Sequence, residues 1–144
     1  MKLLRIEERH LDGISKIESR CFSEPWSRSS LELLLTENAF GVVAEADDGE
    51  ALAYGGMTCV LDEGQITNIA TLPEYRRQGL GRAVVLSLAN MARERGLGVL
   101  YLEVRESNAA AISLYESLGF VMTGKRTKFY KKPCEDAILM QLTL

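Results

Sequence analysis

Gln65 to Gly96 reads QITNIATLPEYRRQGLGRAVVLSLANMARERG, and the fold turns on this stretch. A β-rich run from Gln65 to Leu72 stops at Pro73, a polar turn carries Arg76-Arg77-Gln78-Gly79-Leu80-Gly81, and a helix follows. Leu80, Val84, Leu88 and Met91 share one helical face, with Arg82, Asn90, Arg93 and Glu94 largely elsewhere, and Gly96 suits the C′ position. A strand-to-helix turn of this kind gathers backbone N–H groups, basic side chains and the positive end of a helix dipole. The dipole alone supplies roughly half a charge. The turn is suited to holding phosphate.

Before it, Leu3 to Ile6 reads as a short strand and Leu11 to Cys21 as an amphipathic helix with Leu11, Ile14, Ile17 and Cys21 in phase. Pro25 breaks the helical pattern, and Ser27 is placed to cap a second helix reaching about Thr36. Phe40 to Ala46 and Ala51 to Leu61 are strands joined at Asp47-Asp48-Gly49, and a turn over Asp62-Glu63-Gly64 leads into Gln65. After the stretch come a strand, Val99 to Val104, and a helix, Ala109 to Leu118, capped by Ser107 or Asn108. A strand from Phe120 extends toward Tyr130, and a last strand, Glu135 to Leu142, follows a turn at Pro133. The order β-α-α-β-β-β-α-β-α-β-β predicts an α/β fold with a mixed, mostly antiparallel central sheet flanked by helices. With 144 residues, no repeat and no linker, one domain over residues 1–144 is expected.

Composition narrows the function. Apolar residues make up 47% of the chain, and no stretch approaches a membrane span. Glu7 and Glu8 interrupt any signal-like apolar segment, so a cytoplasmic protein without a membrane partner is expected. Cys21, Cys59 and Cys134 are unevenly spaced, and with the lone His10 they predict neither a disulfide framework nor a metal. The net charge of −3 argues against direct nucleic-acid binding. Basic residues concentrate instead at Arg76, Arg77 and Arg82, and in a later cluster of Lys125, Arg126, Lys128, Lys131 and Lys132.

Three phosphate sites compete for the glycine turn. A Walker A loop needs G-x-x-x-x-G-K-[ST], a string that is missing. A dinucleotide turn needs a third glycine where Val84 stands, although Glu103 mimics its ribose-binding acid; Pro73 to Gln78 also separate strand from glycine. The third is an acyl-CoA pyrophosphate site. Arg76-x-x-Gly79-x-Gly81 resembles the [QR]-x-x-G-x-[GA] signature of the GNAT acetyltransferase superfamily. CFSEPWS at Cys21 to Ser27, NIA at Asn68 to Ala70, PEYRRQGLGRA at Pro73 to Ala83, LEVRESNAAAISLYESLGF at Leu102 to Phe120 and EDAILM at Glu135 to Met140 resemble its RimI type.

The resemblance implies the acyl-CoA N-acyltransferase fold and acetyl-CoA as co-substrate. It implies transfer in a ternary complex to the N-terminal alanine of a small-subunit ribosomal protein. It carries contacts to the acetyl-pantetheine end over to Ile69, Ala70 and Thr71, pyrophosphate contacts to Arg77, Gln78, Gly79, Leu80, Gly81 and Arg82, and a further CoA contact to Asn108. It implies Glu103 as proton acceptor and Tyr115 as proton donor.

Read from the residues alone, each has an ordinary alternative. Glu103 ends an apolar strand, where burial would raise its pKa toward useful range or where it pairs with Arg105. Tyr115 shares a helix face with Ala111 and Leu118, as a core tyrosine would. Asn108 is a natural N-cap; Phe22 and Trp26 either line an acceptor groove or anchor a turn. An α-amine with pKa near 8 costs roughly 1 kcal/mol to deprotonate at pH 7, against roughly 4.6 for a lysine, so one carboxylate suffices for an N-terminal acceptor. Near the final hairpin the chain has Arg126-Thr127-Lys128-Phe129-Tyr130 where the family commonly carries two adjacent tyrosines, which bears on the acceptor pocket. Lysine side chains, other N-termini and small amines stay open as acceptors, as does a non-catalytic acyl-CoA-binding role.

Overall fold

A computed structural model describes residues 1–144. Its strands are β1 (Lys2–Arg5), β2 (Ala39–Glu45), β3 (Ala51–Val60), β4 (Glu63–Thr71), β5 (Val99–Arg105), β6 (Val121–Lys131) and β7 (Cys134–Thr143). Its helices are α1 (Leu11–Cys21), α2 (Arg28–Leu31), α3 (Leu80–Glu94) and α4 (Ala109–Ser117). One seven-stranded sheet runs β1-β2-β3-β4-β5-β7-β6. Only β4 and β5 pair in parallel. The α/β order read from the sequence is the order found.

Hydrophobic burial explains the layers. On one face α3 buries Leu80, Val84, Val85, Leu88, Ala89 and Ala92 in a cluster that takes in Leu100, Leu102 and Val104 of β5 and Tyr115 of α4. On the other, Leu11, Ile14 and Ile17 of α1 and Leu31 of α2 pack on Val43, Tyr54 and Ala70. That second cluster contains no residue of β5, β6 or β7, so α1 and α2 cover half of their face and leave the rest open.

Two local expectations are corrected. The second helix does not run as α-helix to Thr36: after one turn capped by Ser27, it tightens into a 3₁₀ segment, Glu32–Leu35. Leu31 and Leu34 are both buried while Leu33 and Leu35 are exposed. A three-residue turn is the geometry that puts i and i+3 on one side. The β3–β4 connection is also shorter than expected, because Val60 pairs directly with Glu63 and only Leu61 and Asp62 lie between. Gly64 belongs to the strand, not the turn. A Cβ there would sit 2.7 Å from both a Leu100 methyl and the Met57 sulfur, so close packing requires its bare backbone.

The feature that makes a site is the way β4 and β5 part. They pair only at Glu63–Val99, Gly64–Leu100 and Gln65–Tyr101. Beyond Gln65, the β5-facing backbone of β4 has no strand partner. A bulge assists the divergence: Ile69 pairs with Gly55 and Ile66 with Met57, so Thr67 and Asn68 stand opposite Gly56 alone. Bulges of this kind bend a strand and increase its twist.

Candidate active site

The unpaired end of β4 carries Ile69, Ala70 and Thr71, and the chain then turns into α3. Ala70 and Leu80 are buried, so each offers backbone rather than side chain. Arg77 has φ +64° and Gly79 φ +79°, two left-handed residues that swing the chain into the helix. At Arg77 that conformation costs on the order of 1 kcal/mol, a strain met mostly where a turn has a task. Gly81 differs from Gly64. A Cβ at Gly81 would only touch Leu114 at 3.6 Å and Thr71 at 3.8 Å, so the fold itself does not demand glycine there. Open space over a helix N-terminus is what a bulky anion needs.

The basic side chains divide. Arg76 folds back, its Nε donating to the Thr71 carbonyl at 3.2 Å. Arg82 donates to the Ser117 hydroxyl at 3.0 Å and ties α3 to α4. Arg77 and Gln78 are exposed. Asn108 is the N-cap of α4, its Oδ1 accepting from the Ala111 amide at 3.1 Å; its amide nitrogen stays available.

Glu103 projects from β5 on the face opposite Leu102 and Val104, toward the open half of the α1/α2 side. Its carboxylate accepts from Gln65 Nε2 at 3.2 Å, across the point where β4 and β5 separate. The alternative pairing with Arg105 is not made: that guanidinium turns to Glu135 at 3.1 Å and to the Pro133 and Lys132 carbonyls. Tyr115 lies on the α3/α4 side at 7% exposure. Burial pushes its phenol up to about 12, with a smaller push from Tyr130. Tyr130 is itself raised by burial and then by Glu103. Glu103 and Tyr115 therefore lie on opposite faces of the sheet, with Tyr130 in electrical reach of both.

The open face is walled by two connections. Phe22 and Trp26 pack partly against the α1 cluster, and the Ser23 hydroxyl donates to the Lys132 carbonyl in the β6–β7 turn. Arg105 stacks 4.3 Å over the Tyr130 ring, and Phe129 meets Tyr130 edge-on at 5.0 Å. Sequence reasoning overlooked Gln65 and Glu18, and met Arg105 only as a partner for Glu103. Gln65 carries no pattern of its own. Glu18 does carry one: it occupies the stripe of α1 seven residues after Leu11 and four after Ile14, where an apolar residue belongs. It is fully buried.

This geometry has relatives. A family model described as the acetyltransferase (GNAT) family matches residues 11–120. The [ribosomal protein bS18]-alanine N-acetyltransferase of Escherichia coli is 39% identical over 150 residues, covering 96% of this chain and 95% of that one. The enzyme of that name from Salmonella typhimurium is 41% identical over 131 residues, 90% and 88% of the two chains. The crystal structure of the ribosomal-protein-S18-alanine N-acetyltransferase from Escherichia coli superposes with a TM-score of 0.91 at 39% identity, over 99% of this chain and 92% of that one. With a strand pair that splays beside a glycine turn and a family match across most of its length, the chain belongs to the acetyltransferase (GNAT) family, to its RimI type, and is an acetyl-CoA-dependent N-acetyltransferase.

Proposed function

We propose that residues 1–144 act as one domain that transfers the acetyl group of acetyl-CoA to the N-terminal alanine of a small-subunit ribosomal protein, in the cytoplasm. The observation that carries this reading is the Glu103 carboxylate, held by Gln65 where β4 and β5 part and facing the open half of the sheet. The activity named for the Escherichia coli and Salmonella relatives supports the choice of acceptor.

Acetyl-CoA supplies an activated thioester carbonyl. The backbone of Ile69, Ala70 and Thr71, at the end of β4 that β5 leaves open, would receive its acetyl-pantetheine end. The turn from Arg77 to Arg82 offers amide N–H groups, the α3 dipole and guanidinium charge for the pyrophosphate, and Asn108, at the N-terminus of α4, has an amide donor for a further CoA contact. The acceptor amine enters from the face that Glu103 shares with Tyr130. Glu103 takes the amine proton, the new C–N bond forms as the C–S bond breaks, and Tyr115 gives its proton to the departing thiolate. A phenol raised to about 12 stays protonated throughout the working range, as a donor must. Direct transfer, without an acetyl-cysteine intermediate, is what the likeness to the RimI type supports.

The test is acetylation of two peptides with acetyl-CoA, one with a free N-terminal alanine and one N-blocked with a central lysine. Turnover of the first at more than tenfold the rate of the second is expected. The reverse preference would overturn the acceptor assignment.

A further inference from the structure

We propose that Glu18 is a positioning residue that sets the Phe22–Ser27 loop as the wall of the acceptor site. This rests on reading the open face as the acceptor side. Glu18 is 0% exposed, and no cation lies within ion-pair distance of it. Its carboxylate instead accepts three hydrogen bonds from three parts of the chain. Oε1 takes the backbone N–H of Trp26 at 2.8 Å. Oε2 takes the Tyr54 hydroxyl from β3 and Asn68 Nδ2, at 2.9 Å, from the bulge of β4. Burial, together with the carboxylate beside it, pushes the Tyr54 phenol up, so it remains a donor.

Packing does not call for a carboxylate here. A leucine or methionine would continue the apolar stripe of α1, whereas burying an unpaired carboxylate is expensive and is tolerated only when its oxygens are hydrogen-bonded. The three donors say what the carboxylate does. Tyr54 is held in the β3–β4 ladder, and Asn68 lies in the bulge next to the paired Ile69, so both donors come from the sheet. Trp26 belongs to a loop whose only other polar tie to the far side of the groove is the Ser23 hydroxyl on the Lys132 carbonyl. Glu18 thus transmits the position of the sheet to the loop, beside the gap where Glu103 and the acyl amides meet. It touches neither substrate.

Trp26 is the single tryptophan of the chain, so its fluorescence reports on this loop directly. Glu18→Met keeps length and removes every acceptor; Glu18→Gln keeps one oxygen for the Trp26 amide, while Asn68 can turn its carbonyl to the new NH₂. In the full-length protein, Glu18→Met is expected to raise the acceptor KM at least tenfold and leave the acetyl-CoA KM within twofold. It should also shift Trp26 emission to the red and increase its quenching by acrylamide at least twofold. Glu18→Gln is expected to restore the acceptor KM to within threefold of wild type. An Ile14→Val control on the same helix face should lower Tm without moving the acceptor KM. Folded Glu18→Met with an unchanged acceptor KM, or losses falling equally on both substrates without rescue by Gln, would overturn the proposal. If Glu18→Met does not fold, Tyr54→Phe is read in its place: an acceptor KM raised about threefold with acetyl-CoA unaffected supports it, and no change overturns it. Wild type failing on the alanine peptide would refute the acceptor reading alone. The Trp26 signal would then decide for or against Glu18.

Discussion

The two sides of the reaction gap are built differently. Apart from Asn108, the side proposed to hold acetyl-CoA is one contiguous piece of chain, from the end of β4 through the glycine turn into α3, seated mainly on a buried cluster of 21 residues, with Ala70 and Leu72 in the smaller one. The proposed acceptor side is assembled from distant pieces on a cluster of 10, with its walls joined by a few polar links: Ser23 to Lys132, Arg105 to the same turn, Glu18 to Trp26. Burial is strong and non-directional, so it makes a rigid platform with little dependence on any one residue. A wall of individual hydrogen bonds, each worth about 1 kcal/mol net, is easily re-aimed. A cofactor shared across a family suits the first construction, and an acceptor that differs between members suits the second.

The division predicts where substitutions will be felt. The largest effect is expected at the gap itself, which belongs to neither side. Glu103→Gln should lower kcat by roughly 10²- to 10³-fold, the usual worth of a positioned base, with both KM values nearly unchanged. A kcat within threefold of wild type would remove Glu103 from the chemistry. Gly81→Val comes next and strikes the platform alone. A Cβ there would meet only Leu114 and Thr71 at ordinary contact distances. Tm should therefore hold while the acetyl-CoA KM rises about tenfold. If Tm drops with no change in KM, the glycine serves folding, and the space above α3 is not a phosphate site.

The same contrast governs what could be read from the sequence. Helix periodicity, the Gly79–Gly81 turn and the strand order were legible because each is a local pattern, and α3 and β4 lie where the pattern puts them. The acceptor wall was not, since Arg105 meets Lys132 and Pro133 only after β6 and β7 have folded back along β5. No spacing in the chain announces that contact. Gly64 shows the converse failure: a glycine beside two acids reads as a turn, but Leu100 and Met57 press on it from residues a sequence window never sees. Glu18 was legible in principle, as a charge on an apolar stripe, yet its meaning needed Tyr54 and Asn68 beside it.

Tyr115 sharpens the comparison from the stability side, because it is the proposed proton donor and also part of the larger core. Its phenol titrates near 12 when folded and near 10 when unfolded. Between those values the unfolded chain releases a proton that the folded chain retains, so stability falls as pH rises from 10 to 12, by up to roughly 3 kcal/mol. Urea midpoints at pH 9, 10 and 11 should decline, and less steeply in Tyr115→Phe. Tyr54, raised by burial and by Glu18, adds to the decline in the same direction. An equal slope in Tyr115→Phe would mean the phenol is not sequestered as the fold places it. Catalysis should show no loss from Tyr115 ionisation below pH 10.

The smallest effect tests the polar wall on its own terms. Ser23→Ala removes the hydroxyl that reaches the Lys132 carbonyl, on an exposed side chain with no part in either core. Arg105 also donates to that carbonyl and to its neighbour at Pro133, so the β6–β7 turn stays in place and only the loop is released on that side. The acceptor KM should rise two- to threefold, with kcat and the acetyl-CoA KM unchanged and Tm shifted by no more than a degree or two. A matching rise in the acetyl-CoA KM would mean that the two halves are mechanically joined through the loop. The platform would then not be independent of the wall, and the Glu18 bond to Asn68, which runs from α1 to the strand proposed to receive the acyl group, would be the connection to break next.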